Sequence, residues 1–275
     1  MLKQQQCIQY TQDGYLILEQ FCSEHEMDEL KAAAQNIVDN FDANSTRSVF
    51  STQDKSKSRD DYFLSSGDKV RCFFEEDAFD EKGQLNQDKS LSINKIGHAL
   101  HVLDPIFKKF SHSSKIKTLV RALGTQQPQI HQSMYIFKQP KIGGVIRWHQ
   151  DATYFYSSPI TVITLWFAVE DATIKNGCIQ VKKGGGNTPL KEQFTRDEND
   201  NTELVQLENT PWPLDDEAMP LEVKKGSLIV FNGLLPHFSA PNISDTSRHA
   251  FTLHITCGSS EYAKGNWLQA APSKL

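Results

Sequence analysis

Five short runs rich in β-branched and aromatic residues dominate the second half of this chain: QIHQSMYIFKQ, TVITLWFAVED, GCIQVKK, GSLIVFN and HAFTLHIT. Turn formers bound them, namely Pro140, Gly143-Gly144, Asn176-Gly177, Gly184 to Gly186, Gly226 and Asn232-Gly233. Runs of this kind between such signals read as strands. Helical patterns come first and strands follow. That order predicts a mainly β, α+β fold: an antiparallel barrel or two-sheet jelly roll of the cupin-like, double-stranded β-helix type, braced by N-terminal helices.

The helical half begins at SEHEMDELKAAAQNIVDNF. Ser23 and Glu26 form the S-x-x-E pattern of a capping box. Met27, Leu30, Ala34, Ile37, Val38 and Phe41 recur at helical spacing. A polar stretch from Asp42 to Asp61 reads as a loop. Ile96, Leu100, Leu103 and Phe107 predict a second helix over Ile93 to Phe110, which Pro105 should bend or break. A third, short helix covers Ser114 to Leu123. The acidic segment from Thr195 to Pro220 reads as a long loop over one end of the barrel. A chain of 275 residues accommodates this as one domain. Residues 1–125 form helix-rich support, 126–258 the jelly-roll core and 259–275 the tail.

The net charge of −5 gives no reason to expect nucleic acid as a partner. The five cysteines, at 7, 22, 72, 178 and 257, include no C-x-x-C pair, which argues against a disulfide scaffold or a thiolate zinc site. No apolar run approaches a membrane span. MLKQQQCIQYTQDG lacks the apolar centre of a secretory signal. The tail reads AAPSKL, and Ser273-Lys274-Leu275 is the tripeptide read by the peroxisomal import receptor. The expectation is an exposed, flexible tail and a peroxisomal location, with a cytoplasmic one as the alternative.

The chemistry concentrates in RWHQDATYF, Arg147 to Phe155. On a strand, residues i and i+2 share a face, so His149 and Asp151 would point together, roughly 7 Å apart. Trp148 and Gln150 would face away. A His-x-Asp pair alone is weak evidence. It gains weight from His237, just beyond GSLIVFN, and from Arg248, at the start of HAFTLHIT. Two imidazoles and one carboxylate on one side of an ion make the facial triad of non-haem Fe(II) oxygenases and leave positions open for a cosubstrate and O2. Zn, Mn or Ni could take the same ligands in vitro. An arginine fork is the natural bidentate partner of a carboxylate. His237 and Ser239 share parity on an extended segment.

The chain resembles the phytanoyl-CoA dioxygenase family of Fe(II)/2-oxoglutarate oxygenases. The likeness runs through YTQDGYLILEQF, DYFLSSGDKVRCFFEEDAFDEKG, SINKIGHALH, QSMYIFKQP, WHQDATYF, LWFAVEDATIKNGC, the His237–Arg248 segment and NWLQ, nearly the whole chain. The resemblance implies that His149, Asp151 and His237 are the iron ligands. It implies that Arg248 binds the distal carboxylate of 2-oxoglutarate with Ser239 beside it, and that Lys95, Met134 and Trp166 are further cosubstrate contacts. On burial habits alone, Lys95 reads as a solvated helix lysine and Met134 and Trp166 as core. The implied activity is hydroxylation with release of succinate and CO2, using Fe(II), 2-oxoglutarate and O2 with ascorbate in support. The implied substrate is an acyl-CoA or lipid-like acid.

Asp151 argues against halogenation, since halogenating relatives lack that carboxylate. One departure follows NGC, where the family's Pro-Gly-Ser-His turn gives way to CIQVKKGGGNTP, read here as a flexible rim. Lys182 and Lys183 are candidates for CoA phosphates. His98, His101, His112, His131, His249 and His254 read as surface or satisfied core residues, although His254 shares parity with Arg248 and would line the cavity of a barrel. Three other readings compete: a retired metal- and 2-oxoglutarate-binding jelly roll acting as sensor or interaction module, a cupin-like enzyme that needs no keto acid, and a plain structural domain.

Overall fold

The computed structural model describes residues 2–50 and 60–275. Helix α1 (Gln4–Asp13) ends at Gly14, which adopts the left-handed conformation (φ +80°), and the chain turns at once into β1 (Tyr15–Leu18). Ser23 then caps α2 (Glu24–Asn40). Its hydroxyl accepts from the Glu26 N–H and the Glu26 carboxylate accepts from the Ser23 N–H, closing the capping box. Met27, Leu30, Ala34 and Val38 form the buried stripe of α2, where Leu30→Ala would cost about 2–5 kcal/mol. The centre of the segment expected as a loop after α2, 51–59, lies outside the described residues.

Next come α3 (Asp61–Leu64), β2 (Val70–Phe74), α4 (Lys89–Ser92) and β3 (Ile93–His98). Here the expected helix over Ile93 to Phe110 is corrected. Its first six residues form a strand buried on both faces, paired with β2 on one side and with β4 (Pro128–Ile136) on the other. A short apolar run carries no decisive period, and sheet pairing settled it. Helices α5 (Leu100–Leu103) and α6 (Pro105–Ser111) follow, broken as expected at Pro105, which sits in the first turn of α6 behind an Asp104 cap. Helix α7 (Ser114–Ala122) completes the N-terminal half.

Beyond β4 the chain runs through β5 (Ile146–His149), β6 (Ser157–Ser158), β7 (Ile163–Ala168) and β8 (Ile179–Lys182), then β9 (Glu192–Arg196) and β10 (Thr202–Gln206). It continues with β11 (Ala218–Leu221), β12 (Leu228–Asn232), β13 (His237–Ser239), β14 (Ala250–Cys257), β15 (Glu261–Tyr262) and β16 (Ser273–Lys274). The five predicted strands are β4, β7, β8, β12 and β14. The segment expected as a loop over Thr195 to Pro220 instead holds most of the β9–β10 hairpin and β11.

Among the described residues the larger sheet has the order β1-β12-β7-β14-β4-β3-β2, and a smaller one runs β11-β8-β13-β5. Strand parity assigns the layers. Leu165, Phe167, Leu228, Val230, Phe251 and Leu253 face the helices and pack with Met27, Leu30, Phe107 and Leu119. Their neighbours Trp166, Ala168, Ile229, Phe231 and Ala250 face inward and pack with Ile179, Val181 and Leu221 of the smaller sheet. The site lies between these inner faces.

Two expectations change with the packing. Gly185 and Gly186 are buried rather than forming an open rim, and a Cβ on Gly186 would lie 2.6 Å from the Gly14 nitrogen. The glycines let this turn close on the end of α1. The tail is not free either. β16 pairs with the stretch of β4 that β3 leaves open, Ser273 opposite Ile130 and Lys274 opposite Gln129. The Ser273 hydroxyl meets His112 Nε2 at 2.8 Å, and the Leu275 N–H donates to the Pro128 carbonyl at 3.0 Å. No helix among the described residues is long and apolar enough to cross a membrane.

Candidate metal centre and cosubstrate pocket

Strand β5 stops at His149, and the chain turns through Gln150 into a single 3-10 turn, Asp151–Thr153. His149 and Asp151 therefore do not share one strand face, as the sequence suggested; the turn swings the carboxylate back beside the imidazole. Gln150 holds this corner. Its buried amide donates to the carbonyls of Thr188, Pro189 and Leu234 and accepts from the Lys191 N–H. The Ala152 N–H donates to Gly233 at 2.9 Å, tying the turn to the loop that delivers His237. In the smaller sheet His237 stands directly opposite His149.

Asp151 Oδ1 lies 3.7 Å from His149 Nε2 and 3.8 Å from His237 Nε2. One ligand atom from each of the three residues falls within 4.8 Å of the others, a spacing that one ion can bridge. Each histidine has its other nitrogen on a backbone carbonyl two residues behind it: His149 Nδ1 on Arg147 at 2.8 Å, His237 Nδ1 on Leu235 at 3.0 Å. A carbonyl only accepts, so both Nδ1 atoms carry the hydrogen and both Nε2 atoms present lone pairs. Burial, with the His237 charge, pushes His149 down to about 3, so its ring is neutral and ready to ligate. Burial works against the Asp151 anion, but the imidazoles of His237, His254 and His149 outweigh it and hold the carboxyl below its usual range. Two imidazole nitrogens and an ionised carboxylate fit a divalent cation, and mixed N/O donors suit Fe(II).

All eight residues singled out in the sequence line one cavity of about 470 Å³. Arg248 is 2% exposed; its Nε donates to the Gly177 carbonyl at 3.2 Å, and its carbon lies 5.2 Å from the Trp166 ring centre. Its Nη1 is buried with no partner among the described residues. An unpaired guanidinium nitrogen on a cavity wall fits an incoming carboxylate. The Ser239 hydroxyl donates to the same Gly177 carbonyl at 2.9 Å. Lys95 stands on β3, not on a solvated helix, with Nζ 3.1 Å from the Phe50 ring centre. Burial lowers Lys95 to about 7, Glu75 opposing, and lowers Arg248 to about 10. Trp166, Thr252 and Met134 form one cross-strand row over β7, β14 and β4.

Sequence reasoning undervalued several lining residues. His254, Thr164 and Gln132 form the neighbouring cross-strand row, and His98 lines the cavity with its Nδ1 on Ser66 Oγ at 2.7 Å. The parity of His254 with Arg248 was the one available signal. Four other histidines are held by hydrogen bonds away from the ligand cluster: His101 by Ser133, His131 through Nε2 by Thr256, His249 by Tyr135 and His112 by Ser273. Trp148, expected to face away, instead lines the cavity mouth and donates to Asp215 at 2.7 Å. Lys182 and Lys183 are exposed and outside the cavity lining.

The family model described as Phytanoyl-CoA dioxygenase (PhyH) matches residues 10–250. The phytanoyl-CoA dioxygenase domain-containing protein 1 homolog of Dictyostelium discoideum is 40% identical over 274 residues, covering 98% of this chain and 97% of that protein. The phytanoyl-CoA dioxygenase of Arabidopsis thaliana is 42% identical over 263 residues, covering 95% and 92%. Among solved structures, EctD from S. alaskensis with 2-oxoglutarate and 5-hydroxyectoine aligns with a TM-score of 0.64 at 19% identity, covering 96% of this chain and 79% of that one. With family, fold and ligand set in agreement, the chain belongs to the phytanoyl-CoA dioxygenase (PhyH) family of Fe(II)- and 2-oxoglutarate-dependent dioxygenases.

Proposed function

We propose that this chain hydroxylates a C–H bond of a lipid-like acid or its acyl-CoA thioester, consuming 2-oxoglutarate and O2 and releasing succinate and CO2. One observation carries the reading: the His149–Asp151–His237 cluster and the unpartnered nitrogen of Arg248 open into the same cavity. Iron and the keto acid supply the oxidising chemistry, which no side chain here could. The chain's own residues bind, orient and shield. His149, Asp151 and His237 hold the ion. Arg248, with Lys95 and Ser239, takes the far carboxylate of 2-oxoglutarate, against a wall of Trp166 and Met134. Phe50, Phe63, Tyr154, Phe155, Phe194 and Trp267 line the rest of the cavity and exclude water from an apolar carbon chain. The retained Asp151 supports hydroxylation over halogenation. The names of the plant and amoebal relatives support an acyl-CoA.

The test loads anaerobic protein with Fe(II) and 2-oxoglutarate, admits O2 and measures succinate. A panel of straight and branched acyl-CoAs and free acids follows, scored by substrate-stimulated succinate and hydroxylated product. Metal-loaded protein that releases no succinate with any of them refutes the enzymatic reading and favours a metal-binding sensor.

The residues 1–275 act in this reading as one oxygenase domain, working in the peroxisome through Ser273-Lys274-Leu275. Because that tripeptide lies along β4, a receptor could take it only after β16 unpairs. An N-terminally tagged chain that stays cytoplasmic in cells with import-competent peroxisomes would rule the location out.

A further inference from the structure

A third imidazole faces the metal-binding carboxylate. His254 Nε2 lies 3.7 Å from Asp151 Oδ1, as near as the two ligand histidines, and its side chain is as buried as that of His237 and more buried than that of His149. Yet it falls outside the cluster whose ligand atoms all lie within 4.8 Å of one another. Its surroundings also differ in kind. The ligand histidines have Nδ1–H tied to a backbone carbonyl, which leaves Nε2 as a lone pair. His254 Nδ1 is buried and has no partner among the described residues. With nothing to accept a hydrogen at Nδ1 and a carboxylate facing Nε2, the hydrogen sits on Nε2 in the neutral ring, as it would in the charged one. His254 is thus a donor and not a ligand.

The opposite oxygen has a donor as well. Thr164 gives its hydroxyl hydrogen to Asp151 Oδ2. Thr164 and His254 are register partners on β7 and β14, so adjacent strands of the larger sheet present two donors to one carboxylate carried by a turn off the smaller sheet. Phe155 lies flat on the His254 ring, 4.6 Å between centres at 17°, and fixes its plane.

We infer that His254 and Thr164 are positioning residues of the metal centre, a two-donor cradle that holds the Asp151 carboxylate in its ligating orientation. The inference rests on the metal-site reading above. A partner of this kind typically changes metal affinity 10–100-fold, on the order of the effect of other outer-shell groups.

The test is anaerobic titration of the full chain with Fe(II), and with Co(II) as a spectroscopic probe. His254→Phe keeps the stack on Phe155 and removes the donor; His254→Gln restores a donor; Thr164→Val removes the other one at nearly constant shape. The expected result is weaker binding by roughly 10–100-fold in His254→Phe and in Thr164→Val, and partial recovery in His254→Gln. The Co(II) ligand-field bands should shift in the first two while thermal unfolding of the metal-free proteins stays close to wild type. Wild-type affinity and bands in both His254→Phe and Thr164→Val would reduce the pair to packing and overturn the inference. A wild-type chain that binds neither ion would overturn the metal-site reading, and the cradle with it.

Discussion

His149 and His237 stand opposite each other across the β5–β13 ladder, ring centres 4.1 Å apart, each with Nδ1 on the carbonyl two residues behind. Backbone register builds this proposed ligand pair, so neither ring can be replaced by a neighbour. Replacing either with Ala should abolish stoichiometric Fe(II) binding and lower succinate release by at least about 100-fold, the upper end of what mere supporting partners contribute. Metal analysis after anaerobic desalting, beside a succinate assay, checks it.

Arg248 is a buried cation with a free nitrogen, a costly arrangement for the empty protein. Arg248→Met should therefore leave the apo protein no less stable while weakening 2-oxoglutarate by about 10–100-fold, the loss of a charge-assisted hydrogen bond. Metal binding should persist. Thermal unfolding with and without 2-oxoglutarate separates the two effects.

Lys95 supplies a pH dependence with a definite sign. Burial holds it at about 7, below its ordinary 10.5, so between these values the unfolded chain binds more protons than the folded one. The apo protein should gain stability from Lys95 as pH rises from about 7 toward 10.5, and lose that gain as pH falls. A dianionic ligand favours the charged amine. 2-Oxoglutarate should bind most tightly below pH 7 and weaken above it, by up to about tenfold per unit, with proton uptake. Calorimetry in two buffers of different ionisation enthalpy reads the proton. Lys95→Met should remove both trends, and an unchanged profile in that variant would assign them elsewhere.

Gly186 has no room for a methyl group: a Cβ would sit 2.6 Å from the Gly14 nitrogen and 2.8 Å from its Cα. Since both contacts are backbone, Gly186→Ala should destabilise by about 1–3 kcal/mol. Gly184→Ala meets no steric block but must hold a left-handed φ of +65°, so it should cost about 1–2 kcal/mol. Urea unfolding of the two variants ranks them.

The parts of this fold legible in the sequence were those with local signatures. The Ser23–Glu26 capping box and the stripe from Met27 to Val38 marked α2, and the five β-rich runs marked β4, β7, β8, β12 and β14. What misled was short or doubly buried. Ile93 to His98 shows no alternation because both its faces are buried, and its apolar spacing mimics a helix. The β9–β10 hairpin is polar enough to look like a loop. At the site, the candidate ligand residues stand out in the sequence, but the corner at Gln150 that aims Asp151 depends on carbonyls from two distant loops. The parity of His254 with Arg248 placed it on the cavity wall, but its facing Asp151 across the cavity is a relation between distant segments that local spacing does not carry.

The proposed ligands of the ion come from the smaller sheet and the turn that leaves it, whereas Lys95, Met134 and Trp166 stand on the larger one. Iron with its keto acid would therefore act as a rivet through the sandwich. Occupancy at 100 times the dissociation constant adds about 2.7 kcal/mol to the folded state. Iron scarcity would then thin the population of folded molecules as well as idle them, and melting temperature would serve as a gauge of metal supply.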